Sequence, residues 1–486
     1  MFSFLDAFSA HAILYSCLGA GLGIVWGAMP GLSMTMGMAL LAQFSYSMAV
    51  VDATAFLMGI YTGATFGGAI SAILLNIPGT PDAVPTKLAG YPVAKQGRGG
   101  EALGMAIAGS FVGNLVGILV LVALTPVLLV FALNFGAWEQ FLLAVWGILI
   151  AGSLSGESDS VLKGWISGWL GLCLAMVGIE PITGYDRLTF GNPNLLGGIQ
   201  FIPALIGLFG LAEVLRIANL QETDRIPAHI GRVLPRLGDF ARYGRSALRS
   251  SVIGTFIGMV PGGGAPMATF LAYDLGQRSS GKDFSKGSVE GVVCSETANN
   301  ACIGGSLLPT MSLGIPGTAA AAVFMAALAF QGVVVGPAIN HSQPGFMQFL
   351  YGTLLLANLA MYVFGFLLIR PSLWALSVRK DVLMPLVSVL CVVGAFSLQL
   401  STFDVSVMLV FGVIGYVMKR WEFPLAPMVF AMILGGMADE NFRKAMIIFS
   451  SDSFLDVLLR PIGVIMMAII AITLYRGLGR TFLVRP

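Results

Sequence analysis

The chain of 486 residues carries 26 Lys or Arg and 24 Asp or Glu, so 10% of it is charged, against about a quarter of a soluble domain. Apolar residues make up 57% and the mean hydropathy is +0.87, more apolar surface than a soluble protein can hide, because one core stops growing near about 250–300 residues. A soluble enzyme, a secreted disulfide scaffold and a disordered chain are excluded, which leaves a polytopic, all-α membrane protein.

From the N-terminus, Asp6 and no basic residue precede the first apolar run. That start does not read as a cleavable signal peptide, and it places the N-terminus outside. Hydrophobic segments lie near 8–28, 34–50, 53–75, 102–124, 126–135, 140–154, 164–179 and 201–217. A polar stretch, 216–249, follows. It holds Arg216, Arg225, Arg232, Arg236, Arg242, Arg245 and Arg249 against Glu222, Asp224 and Asp239, which reads as a cytoplasmic loop. Segments resume near 248–260, 263–275, 297–314, 318–335, 346–369, 382–400, 403–418, 424–438 and 461–478, with Arg379–Lys380 and Lys419–Arg420 as further cytoplasmic signals. Several segments fall short of the about 20 residues a crossing needs. Half-helices and re-entrant hairpins are therefore expected among about 10–14 membrane segments. Continuous apolar runs such as Leu115–Leu124 oppose a β-barrel.

Glycine is the second signal: 62 residues, close to twice the usual share of about 7%. Many recur at spacing four, as in Gly59, Gly63, Gly67, then Gly109, Gly113, Gly117, then Gly254, Gly258, Gly262. Small residues at that spacing let membrane helices approach closely.

The polar stretch divides two related halves. Gly27-Ala28-Met29-Pro30-Gly31 matches Gly258-Met259-Val260-Pro261-Gly262 at an offset of 231. Gly67-Gly68 matches Gly304-Gly305 at 237, and Ile77-Pro78-Gly79-Thr80 matches Ile315-Pro316-Gly317-Thr318 at 238. The organisation expected is a first membrane repeat over 1–215, the Arg-rich loop over 216–249, and a second repeat with C-terminal helices over 250–486. A first half that starts outside and a second that starts inside make the repeats inverted. Pro-Gly within an apolar run breaks a helix, which lipid tolerates only beside protein or a cavity. Paired breaks in inverted repeats mark a transporter's midplane site. The candidate substrate-binding residues are accordingly Pro30, Gly31, Pro78, Gly79, Thr80, Pro261, Gly262, Gly263, Pro316, Gly317 and Thr318.

These motifs resemble the large membrane subunit of the tripartite tricarboxylate transporters. The similarity runs through Gly67–Gly90, Gly258–Tyr273, Glu296-Thr297-Ala298-Asn299-Asn300-Ala301 and Leu313–Gly317. It implies a permease of the bacterial inner membrane that works with a small membrane subunit and a periplasmic solute-binding protein, surrounded by membrane lipid. It also implies import of citrate-like or other organic carboxylates by ion-driven secondary transport. Ala89-Gly90 stands where that family usually shows Asp-Gly, and Val335-Gly336-Pro337 where it often shows Pro-Gly-Pro.

The longest uncharged gap, 73 residues between Glu296 and Arg370, contains Asn299 and Asn300, to be read as interhelical glue or as ligands for a cation or a carboxylate. Both join the substrate-binding set. Glu296, an ionisable residue beside the membrane core, is expected with Asn299 and Thr62 to hold a coupling ion, Na+ or H+. Tyr61 just before Thr62, the basic residues Lys87, Lys95 and Arg98, and Asp404 are weaker candidates. Five scattered cysteines and three histidines form no metal motif, and no cofactor is expected. Gly276–Lys282 imitates a P-loop, but Asp283 replaces the required Ser or Thr. No basic stripe suggests nucleic acid. The alternatives to a carrier are a channel, which needs a filter or charged ring, and a membrane-embedded enzyme, which needs clustered acids or histidines.

Overall fold

Long apolar runs become helices because a helix satisfies its own backbone where water is absent. The computed structural model describes residues 2–29, 31–154, 161–180, 182–217, 233–234, 237–376, 378, 380–451 and 460–483. In chain order the α-helices are α1 (Ala10–Ala28), α2 (Met34–Leu41), α3 (Val50–Leu75), α4 (Val84–Val93), α5 (Gly99–Ala132), α6 (Ala137–Leu154), α7 (Val161–Ala175), α8 (Phe201–Leu205) and α9 (Ala212–Ile217). They continue with α10 (Leu237–Gly258), α11 (Gly264–Ser280), α12 (Val289–Leu313), α13 (Ala319–Phe330), α14 (Ile339–Ser342) and α15 (Phe346–Leu367). The last are α16 (Ile369–Leu376), α17 (Lys380–Ser397), α18 (Thr402–Arg420), α19 (Leu425–Ser451) and α20 (Pro461–Leu483). Among the described residues, 6 helical stretches are long and apolar enough to cross a membrane: α1, α3, Pro81–Ala132, α6, α15 and α18. The chain is an all-α polytopic membrane protein.

Several segment boundaries differ from those expected. The runs at 102–124 and 126–135 are one helix, α5, with Pro126 inside it. Helix α10 starts at Leu237, so Arg242, Arg245 and Arg249 ride on a helix rather than a loop. Arg225, Arg232 and Arg236 lie outside the described residues, as does Pro30. Helix α19 runs on past 438 to Ser451, carrying Asp439 and Arg443. The stretch read as a false P-loop is the end of α11, stopped by Gly281 in the left-handed conformation.

The glycine stripes are packing surfaces. A Cβ added to Gly23 of α1 would come 2.6 Å from the Ile60 carbonyl oxygen of α3, and one on Gly63 of α3 would strike the Ala20 carbonyl of α1. Helices α10 and α12 repeat the arrangement: a Cβ added to Gly258 would come 2.8 Å from the Cys302 carbonyl oxygen. Gly113 and Gly117 of α5 press on the Thr297 and Ala301 carbonyls of α12. Such backbone contact is available only to residues without a Cβ. It leaves α3 and α12, both almost wholly buried, at the centre of the molecule.

The two central helices share a register. Each ends in a left-handed residue, Asn76 (φ 60°) and Gly314 (φ 70°). Ile77 N–H then reaches back to the Ser71 carbonyl (3.4 Å), as Ile315 N–H does to the Pro309 carbonyl (3.3 Å). Thr80 (φ −134°, ψ 159°) and Thr318 (φ −136°, ψ 161°) open the next turns in matching conformations. A Cβ on Gly79 would meet Gly68 Cα, and one on Gly317 would meet Ser306 Cα. All of these pairs are 238 apart. The offset of 237 read from the Gly-Gly pairs is thus one residue short, because it matched glycines by identity, whereas Gly68 in fact corresponds to Ser306. In the corrected register Tyr61 answers to Asn299 and Thr62 to Asn300.

Outside the helices, a two-stranded hairpin pairs β1 (Gly178–Ile179) antiparallel with β2 (Asp186–Arg187). Glu180 holds its turn. The carboxylate accepts from the N–H groups of Ile182 (2.9 Å) and Thr183 (2.6 Å) and from the Thr183 hydroxyl, and Arg443 Nε lies 3.4 Å away. These partners, the Thr183 hydroxyl foremost, hold the carboxyl at about 2 against an ordinary 4.5. A depressed carboxyl stabilises the fold above its ordinary value and stops doing so as pH falls through the depressed one. The hairpin should therefore keep its exchange protection at pH 5 and lose it between about 4.5 and 2. Hydrogen exchange of peptides over 176–200, corrected for intrinsic rates, reads this directly. Thr183→Ala should move the loss to higher pH.

Candidate functional site

Paired helix breaks place polar side chains where the two halves meet. In the second half, Thr318 caps α13: its Oγ1 accepts from Ala321 N–H at 3.1 Å. The Tyr61 hydroxyl of α3 crosses to that same oxygen (2.8 Å) and to Ser306 Oγ (3.0 Å). The corresponding residue of α12, Asn299, crosses the other way, its Nδ2 donating to the Thr65 carbonyl of α3 at 3.3 Å. Each half thus sends a polar side chain from the same register position into the other.

Around the first break the surroundings are different. Thr80 opens a short helical turn, Pro81–Ala83, that holds Asp82, 6% exposed. Asp82 lies within reach of Thr80 and Asn299 and within electrostatic range of Glu296. Glu296 is fully buried on α12. Its Oε1 accepts from Thr86 Oγ1 at 2.5 Å and its Oε2 from Ser110 Oγ at 3.3 Å. Asn300 closes the group, its Nδ2 donating to Ser110 Oγ (2.8 Å) and to the Glu296 carbonyl (3.1 Å). Neither acid has a Lys, Arg or His partner among the ion pairs of the described residues.

Acceptors outnumber donors here. Thr80 Oγ1, Asp82 Oδ2, Asn299 Oδ1 and Asn300 Oδ1 are buried without a hydrogen-bond partner. A buried oxygen left unpaired is costly, and a buried unpaired charge far more so. An oxygen-rich set of this kind suits a hard cation or a proton.

The structure brings Thr80, Glu296, Asn299 and Asn300 together, with Pro78 and Gly79 at the break just before Thr80. Pro316, Gly317 and Thr318 form the matching break of the second half. Gly262 joins them, its N–H donating to the Gly317 carbonyl at 3.3 Å, and Gly263 N–H folds back to Val260, next to buried Pro261. Gly31 (φ 88°) instead faces Ile217 and Glu213. Thr62 turns its hydroxyl to the Met58 (3.0 Å), Gly59 (3.1 Å) and Ala357 (3.4 Å) carbonyls, away from the acids. Thr318 spends its oxygen on the cap and on Tyr61, whereas Thr80 makes no cap bond and stands beside Asp82. Ala89 is fully buried, its methyl against Gly291 of α12, so the departure from the expected Asp lies in the α4–α12 contact.

Sequence reasoning missed Asp82, Thr86 and Ser110. Asp82 carried a usable signal: an acid two residues after a Pro-Gly-Thr break inside an apolar region. Thr86 and Ser110 carried none, since isolated hydroxyls usually bond their own helix.

Comparison with known proteins agrees with this architecture. The family described as "Tripartite tricarboxylate transporter TctA family" matches residues 13–430. A protein of Agrobacterium vitis, described as an uncharacterized 52.8 kDa protein in the TAR-I ttuC' 3' region, is 34% identical over 471 residues, 96% of this chain and 93% of the relative. Another from the same organism, described as an uncharacterized protein in the TAR-II ttuC' 3' region, is 32% identical over 202 residues, 41% of this chain and 84% of the relative. No solved structure matches.

Proposed function

The chain belongs to the tripartite tricarboxylate transporter TctA family, and we propose that it is the large permease subunit of a binding-protein-dependent secondary transporter in the bacterial inner membrane. It imports tricarboxylates or related organic carboxylates, delivered by a periplasmic solute-binding protein, with a small membrane subunit at its side. A Na+ or H+ gradient drives uptake. The coupling cation sits among Thr80, Asp82, Glu296 and Asn299. The carboxylate is held by the amides of Asn299 and Asn300 and by the backbone freed at the two Pro-Gly-Thr breaks, where helix N-termini favour anions.

The observation that carries this reading is the cluster of buried, partnerless oxygens around two acids at the junction of the halves. The common register of α3 and α12 supports a duplicated framework. An outside N-terminus and an inside Arg-rich stretch support opposite orientations of the two copies, with alternating access about the shared site.

Counterflow in proteoliposomes tests the reading. A carrier exchanges labelled for unlabelled substrate saturably, whereas a channel gives ohmic flux without exchange. Asn299→Ala and Asn300→Ala should each lower uptake at least about fivefold at unchanged folded yield, since one buried polar partner is worth about 1–3 kcal/mol and 1.4 kcal/mol is tenfold. Wild-type uptake in both variants would overturn the site.

A further inference from the structure

A cavity of about 350 Å³ lies apart from the breaks, where the far end of α13 meets the start of α8, the turn between α17 and α18, and α19. Its walls are mostly apolar, with Phe201, Phe330 and Met432 among them, and its polar lining is Asp404, Gln200 and Gln399. Asp404 stands in the first turn of α18. It is 2% exposed, and its Oδ2 has no hydrogen-bond partner.

We propose that this cavity binds an organic ammonium ion: a primary amine on a hydrocarbon body, its head on Asp404 and its chain along the apolar wall. Each alternative occupant leaves something unmet. Water alone would wet the carboxylate but leave the apolar wall facing solvent. A purely apolar guest would leave the carboxylate oxygen unpaired at a substantial cost. A hard metal ion wants about six to eight oxygens, and among the described residues no group of three or more His, Cys, Asp or Glu gathers here. An ammonium head brings three donors to a lining whose acceptors are the Asp404 carboxylate and the Gln200 and Gln399 amides. Phe201 and Phe330 are among the lining residues, and aromatic rings attract a cation held over their faces. The shared chemistry is an aminoalkyl head, which either a free alkylamine or the ethanolamine head of a lipid provides.

The test uses the purified full chain in detergent with n-octylammonium chloride and n-octanol as probes, followed by calorimetry. Octylammonium should bind at least about tenfold more tightly than octanol, as expected for one charge-assisted contact. Asp404→Asn should erase that preference while still binding octanol, which shows that the variant is folded. Ala326→Trp, which fills the cavity and leaves Asp404 intact, should remove binding of both at an unchanged melting temperature. Equal affinity for the two probes, or undiminished octylammonium binding in Asp404→Asn, would overturn the proposal. Reconstitution in phosphatidylethanolamine and in phosphatidylglycerol vesicles separates the sources. Competition by the former alone assigns the site to a lipid head, and competition by neither assigns it to a free amine.

Discussion

Glu296→Gln should abolish gradient-driven accumulation while leaving a folded chain in the membrane. The substitution preserves size and one carbonyl oxygen, so one of the Thr86 and Ser110 hydroxyls, at 2.5 and 3.3 Å from the two carboxylate oxygens, keeps its acceptor. The other meets the new NH2 group, from which a hydroxyl oxygen can accept. What it removes is the capacity to change charge. A fully buried carboxylate with no basic partner among the described ion pairs must be neutralised by a bound cation or a proton in its resting state. Coupling requires that this occupancy differ between the two orientations of the carrier, since a ligand shifts an equilibrium only through differential affinity. A glutamine holds neither a proton nor a full cation charge, and its amide adds two donors to a site arranged for acceptors. A hydrogen bond to a charged group contributes about 1.5–3 kcal/mol, so the ion-dependent stimulation should fall by about 10- to 150-fold. Gradient-free exchange of labelled substrate should survive in part, because the breaks and Asn300 remain. The measurement is uptake with and without an imposed Na+ or pH gradient. Whichever gradient stops mattering in the variant identifies the coupling ion. Accumulation at the wild-type rate would remove Glu296 from the coupling site.

Much of this arrangement could be read in advance, for reasons that are local. Charge-free runs report helices because lipid forbids an unsatisfied backbone, so α1, α3, α6, α15 and α18 lie near their expected positions. Glycines at spacing four report backbone contact, and Gly59, Gly63, Gly113 and Gly258 all make it. The Pro-Gly-Thr breaks appear where two halves of the sequence say the same thing. What escaped depends on distance in three dimensions. Thr86 and Ser110 become partners of Glu296 only because α4 and α5 pack on α12. The register of the repeat was misread by one residue, because identical glycines need not be equivalent: Gly68 and Ser306 occupy the same place beneath the two breaks. Thr62 was drawn to the coupling site by its place in the sequence, but a helical threonine can satisfy its hydroxyl on the preceding turn, and this one does. The cavity at Asp404 joins four elements far apart in sequence, and no local pattern announces it.

Gly79→Ala and Gly317→Ala should each destabilise the fold and stop transport, although each adds a single methyl group. At Gly317 the new Cβ would lie 2.6 Å from both the Gly258 carbonyl oxygen and Ser306 Cα. At Gly79 it would lie 2.5 Å from the Gly27 carbonyl oxygen and 2.9 Å from Gly68 Cα. All of these are backbone atoms, held in turn by the glycine contacts that join α1 to α3 and α10 to α12. No side chain can rotate away, so relief requires the broken segment to lift off the helix pair beneath it. Overpacking of a well-packed interior costs about 1–3 kcal/mol, and more where the backbone must move. Lifting the break also shifts Thr80 or Thr318, and with it the spacing of the site. Gly244→Ala is the control: nothing lies within 4 Å of its added Cβ. On helix α10 that change should stabilise by about 0.5–1 kcal/mol through backbone entropy. Melting temperature and uptake, measured on the three variants together, decide the matter. The first two should melt several degrees lower and transport poorly, and the third should melt no lower and transport normally. If Gly317→Ala fails while Gly79→Ala is tolerated, the two breaks are equivalent in backbone only, and transport depends on the Tyr61–Thr318 crossing. If both are tolerated, the close seating of the breaks is not what shapes the site.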